Sequence, residues 1–183
     1  MKKIFGLLLP PLILGIIAIE LGAYNMAATE KHWGITEKII EWVRKSSIEA
    51  RARNLEVPPL DDAEVLLKGA VHYNAMCTTC HLAPGLKPTE LSIGLYPQAP
   101  VFHQRESVDD PLKKLEHIRE YFWVIKNGLK MTAMPAWGLS HDDDSIWAMA
   151  AFVLKMSHMT PEQYENLINS AKDHSNDHEH SHH

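Results

Sequence analysis

The feature that most constrains this chain is a five-residue string, Cys77-Thr78-Thr79-Cys80-His81. Cys77 and Cys80 are the chain's 2 cysteines, so they can form neither a stapled scaffold nor an all-thiolate metal site. Two thiols three positions apart can each add to one vinyl group of the same haem. The histidine beside the second thiol then falls under the iron. The C-x-x-C-H string therefore reads as a c-type haem attachment site. A thioredoxin-type C-x-x-C would require a βαβ pattern around it, and a zinc half-site would require two further ligands at matching spacing. Neither is present. The chain must therefore fold as a wrapping for a flat, apolar group.

The flanking sequence is helical. Asp61 or Asp62 can cap a helix running to Met76, with Glu64 in its first turn. Val65, Leu66, Gly69, Ala70 and Tyr73 share one face, where Gly69 permits close helix approach. A second helix is expected from Pro111 to Asn127, ended by Gly128 in a left-handed cap. The next segment, 128–138, is a loop, because Pro135 pushes Met134 towards extended geometry. A methionine fixed in such a loop can offer its thioether to iron, and Met134 is the candidate. Met131 is its competitor, and His103, His117, His141 or His158, or an open site, are further alternatives. Ser140 with Asp143 suggests a capping-box start for a closing helix to Met159. Thr160-Pro161 begins a short one from 161 to 172. Between the attachment string and 111, prolines at 84, 88, 97 and 100 predict an irregular segment. One of its carbonyls is a natural acceptor for the second ring nitrogen of His81.

The front of the chain differs in kind. Lys2 and Lys3 precede an uncharged run, Ile4 to Ile19, and Glu20 alone interrupts it before Leu21 to Thr29. A helix from Ile4 to Ala27 would be roughly 36 Å long, enough for a hydrocarbon core of about 30 Å. The lysines place the N-terminus in the cytoplasm and the domain outside. A cleaved signal peptide is the alternative, although its apolar core would be shorter and no clean A-x-A follows. Residues 1–28 are thus read as a transmembrane anchor or signal peptide, and 29–59 as a helical stalk and linker. Residues 60–160 form the haem domain. Tyr24 and Trp33 suit a lipid interface, and Val57-Pro58-Pro59 marks the domain boundary.

Charge is uneven. The formal net charge is −5, which excludes a general nucleic-acid binder. Residues 1–55 carry 8 basic and 5 acidic side chains, and residues 56–172 carry 10 and 15. Residues 173–183 hold 3 acids and no base, with 5 of the chain's 12 histidines. Nothing in this tail can form a core, so it is expected to be disordered. Its imidazoles and carboxylates offer weak, pH-dependent binding to divalent Zn, Cu or Ni.

Taken together, residues 60–159 resemble a class I c-type cytochrome. The resemblance rests on the Gly69–Tyr73 helix ending in Cys77-Thr78-Thr79-Cys80-His81, on Met134-Pro135 and on the aromatic-bearing closing helix. The anchor and basic stalk resemble the membrane-tethered monohaem type of bacterial respiratory chains. The resemblance implies an all-α fold around one covalent haem c. Cys77 and Cys80 would attach the haem, and His81 and Met134 would be the axial ligands. It implies a one-electron carrier without its own substrate site, meeting redox proteins by transient contact at the periplasmic face of a bacterial inner membrane. A subunit of a larger membrane oxidoreductase and a haem ligand sensor are the alternatives. The proline-rich segment 82–104 and the histidine-bearing tail depart from the family pattern.

Overall fold

The computed structural model describes the backbone of residues 2–180 and the side chains between 10 and 171 other than Leu12. The described residues form helices and no strand: α1 (Lys2–Glu20), α2 (Gly34–Ala52), α3 (Ala63–Met76), α4 (Thr78–His81), α5 (Glu90–Gly94), α6 (Pro111–Asn127), α7 (Asp143–Lys155) and α8 (Pro161–His180). Single 3-10 turns lie at Phe102–Gln104 and Trp137–Leu139.

The centre of the domain is the crossing of α3 on α7, with α6 against α7 and α8 against α3. Gly69 makes the crossing close. A Cβ there would meet the Ala148 carbonyl and lie 2.9 Å from Phe152 Cβ. Around the crossing, Ala70, Tyr73, Phe152, Val153 and Met156 form one buried cluster. Ile118, Phe122, Ile146, Trp147 and Met149 form another. The Phe122 and Trp147 rings stack at 3.8 Å. The Tyr73 hydroxyl donates to the Leu82 carbonyl at 2.7 Å, satisfying a buried acceptor where Leu82 turns the chain at φ 58°.

Local signals explain most element ends. Asp62 caps α3 by accepting from Glu64 N, and Asp110 caps α6 by accepting from Leu112 N. Gly128 ends α6 at φ 66°. α7 is capped by Asp142, which accepts from Ser145 N, rather than by the expected Ser140. Ser140 instead closes the turn at 137–139 through its backbone N–H, so the helix begins two residues later. It ends at Lys155, short of Met159, and His158 leaves the helical region at φ 58°.

Three expectations at the ends of the chain change. First, the apolar helix stops at Glu20. Ala23 N–H bonds back to Ala18 O and Gly22 N–H to Ile19 O, a Schellman closure with Gly22 at φ 70°. Among the described residues, no helix is long and apolar enough to cross a membrane. Second, the segment expected as a stalk packs on the domain. α2 lies along α6 with Ala52 buried, and Leu55, Val57 and Leu60 join the Trp147 cluster. Arg119 Nε donates to Leu55 O at 2.7 Å, and His32 N–H to Tyr96 Oη at 2.9 Å. Tyr24, expected at a lipid interface, hydrogen-bonds the His32 ring. Third, α8 does not end at 172. No glycine or proline interrupts it after Pro161, and the helix continues to His180 where disorder was expected. The metal-binding expectation for the tail falls on side chains outside the described residues.

Candidate haem site

α3 runs directly into the attachment string. Cys77 closes α3, its N–H bonding to Tyr73 O, and α4 continues through Thr78–His81. This single turn puts Cys77, Cys80 and His81 on the wall of one cavity of about 390 Å³, within the range of small-molecule and cofactor sites. Met134 lies on the wall of the same cavity. The four residues singled out from the sequence are therefore brought together from segments more than fifty positions apart. None of His103, His117, His141 and His158 lines the cavity. Met131 is 77% exposed.

Each wall is held by bonds that fix its reactive atoms. Nδ1 of His81 lies 2.9 Å from the carbonyl oxygen of Pro100. A carbonyl can only accept, so Nδ1 carries the proton and Nε2 keeps its lone pair. The proline-rich segment thus supplies the acceptor that the sequence left unnamed. Thr89 Oγ1 donates to Thr79 O at 2.6 Å, tying that segment to the attachment turn. Phe102 stacks on the His81 ring at 4.8 Å. Burial lowers the His81 pKa, partly opposed by the Pro100 bond, and a neutral imidazole is the form that binds metals.

The Met134 wall is a clamped loop. Leu129 N–H donates to Met134 O at 3.2 Å, Thr132 Oγ1 to Leu129 O at 2.8 Å, and Met134 N–H to Thr132 Oγ1 at 3.1 Å. Gly128 lies against the backbone from Met134 to Ala136, where an added Cβ would come 2.7 Å from Pro135 C. Glycine is thus required there both for its positive φ and for its lack of a side chain.

The residues present fit haem c. Two thiols sit on one side of a largely apolar cavity, with an imidazole of fixed tautomer beside them and a thioether in a braced loop. The setting does not fit a redox-active dithiol. Such chemistry needs a lowered thiol pKa, whereas burial, with Cys80 adding to it, pushes the Cys77 thiol up to about 12.

Sequence reasoning missed what α2 contributes. Glu41, Arg44, Lys45 and Ile48 also line the cavity. The only signal was the crowding of basic residues in the second half of that helix.

Residues 64–153 match the family described as cytochrome C oxidase, cbb3-type, subunit III. No curated protein matches the chain. The matched span runs from the start of α3 through the attachment turn and the 128–138 loop to within α7. Over these residues the chain carries a class I c-type cytochrome domain, which binds haem c covalently.

Proposed function

We propose that this chain is a membrane-tethered monohaem cytochrome that carries single electrons between redox proteins on the extracytoplasmic side, with His81 and Met134 as the axial ligands. The observation that carries the reading is that one cavity is lined by an imidazole whose Nε2 is free to coordinate and by a thioether in a braced loop. Bound haem c supplies a one-electron ferric/ferrous couple. A haem iron held by both His81 and Met134 would have no position left for a substrate, which favours outer-sphere transfer over oxygen or peroxide chemistry. The largely apolar lining would limit reorganisation around bound haem. The acidic balance of 56–172 favours partners with a basic docking patch.

Tethering is supported by the uncharged run Ile4–Ile19 and by the exposure of Ile13, Leu14, Ile16, Ile17 and Ile19 on α1. A large unpartnered apolar surface of this kind marks a membrane or protein contact. A second reading, a permanent subunit of a larger oxidoreductase, is favoured by the description of the matched family and by the exposed Ile35, Ile39, Trp42 and Val43 on α2.

Membranes from cells making the full chain should keep the protein through a high-salt wash. Mild detergent should then release it as a haem-bearing particle of single-chain size. Release by salt alone would contradict the tether. Migration as a stable complex with other haem or copper subunits would transfer the assignment to the second reading.

A further inference from the structure

The residues that match the family do not supply the whole cavity wall. α2 lies outside them, yet it adds Glu41, Arg44, Lys45 and Ile48. These positions fall on one helical stripe, continued by the buried Ala52. The orientation runs against the amphipathicity of the helix. Ile35, Ile39, Trp42 and Val43, on the far side, are exposed. Burial of apolar surface alone would turn α2 the other way, so its charged stripe faces the cavity for another reason.

The charges have a pattern. Most of the lining is apolar, and its ionised side chains are Glu41, Arg44 and Lys45 on α2, Glu120 on α6 and Arg105 just after the turn at 102–104. Cations outnumber anions among them. The α2 cations are only loosely paired, Lys45 also acting on Glu120 of α6. Arg44 lies 4.0 Å from Glu41 and Lys45 3.6 Å from Glu49, both long and solvent-accessible pairs, of the kind that contributes little. Haem has two propionate carboxylates, on the edge of the ring away from its vinyl groups. A haem attached to Cys77 and Cys80 by its vinyl edge would turn its carboxylates away from the attachment turn.

We propose that Arg44 and Lys45 of α2 receive the haem propionates, making α2 a cationic cover for the carboxylate edge of the cavity. This rests on the haem being seated between the Cys77–His81 turn and the Met134 loop. The consequence is electrostatic. Uncompensated carboxylates near the iron favour its more positive, ferric state. Paired with cations they do so less, and the reduction potential rises.

The test is a spectroelectrochemical titration of the haem-loaded full chain. It compares wild type with the double variant Arg44→Gln/Lys45→Gln, with Arg44→Lys/Lys45→Arg and with Arg53→Gln. Arg53 is a basic residue at the end of the same helix that does not line the cavity. The double Gln variant should show a lowered potential with unchanged haem content and visible spectrum. The charge-conserving variant should recover the wild-type potential, and Arg53→Gln should leave it in place. Equal potentials for the double Gln variant and Arg53→Gln, with haem intact in both, would overturn the propionate assignment. Haem that is not covalently held in the wild type would instead overturn its seating in the cavity.

Discussion

Met134→Ala is expected to abolish the weak near-infrared band of an iron–thioether bond, to lower the reduction potential and to let the ferrous protein bind carbon monoxide at neutral pH. Wild type should show the band and no carbon monoxide binding. A thioether favours the ferrous state relative to nitrogen or oxygen ligands, so its loss lowers the potential. The fall should be ~0.2 V, a fraction of the roughly 0.8 V span that axial ligands control. The protein should remain folded, because the loop keeps its closing bond from Leu129 N–H to the backbone oxygen of residue 134. Met131→Ala should leave all three readouts unchanged, since that side chain is turned to solvent. A band that survives in Met134→Ala and vanishes in Met131→Ala would reverse the assignment. Carbon monoxide binding by the wild type would point to the sensor reading.

The second large effect is on stability. Gly69→Ala adds a methyl group where the backbone of α7 already sits, 2.7 Å from Ala148 C and 2.9 Å from Phe152 Cβ. Alanine is the better helix former by about 1 kcal/mol, but the obstacle is main chain, which cannot rotate aside. Overpacking of this kind costs about 1–3 kcal/mol and occasionally more. The clash wins, and the net loss should be ~2 kcal/mol. For a chain of this size that lowers the melting temperature by roughly 4–8 °C. Gly94→Ala is the control, since a Cβ there meets nothing within 4 Å. Melting followed by far-ultraviolet circular dichroism should separate the two. Equal melting temperatures would show that α3 and α7 can part without cost. The crossing also bears on the site, because Tyr73 of α3 and Met149 and Val153 of α7 line the cavity.

Much of this was legible because the decisive signals are local. The C-x-x-C-H string places two thiols and an imidazole within one helical turn. Asp62 before Ala63 and Gly128 after Asn127 mark helix ends by rules that need no tertiary context. Met134 stood out because Pro135 rules out a helix there, and the structure places it on the cavity. Other features depended on contacts remote in sequence. Ser140 and Asp142 are both competent caps, and the turn at 137–139 decides between them by engaging Ser140. The sequence of α2 left open which of its faces would pack. Packing of α2 on α6 decides it, and puts Arg44 and Lys45 on the cavity wall. Pro100 was one carbonyl among several in a proline-rich segment until the chain path brought it to His81. The closure at Gly22 was legible in principle, since a glycine just past an apolar run is a stop signal, but the uncharged residues beyond it suggested a longer helix.

Everything proposed for the site depends on a haem bound covalently through Cys77 and Cys80. Acid–acetone extraction of protein matured in a haem-attaching compartment tests it most directly. Haem should stay with the precipitated polypeptide, and replacing both cysteines by alanine should send it into the supernatant. Free haem in the extract of the unaltered protein would contradict the account.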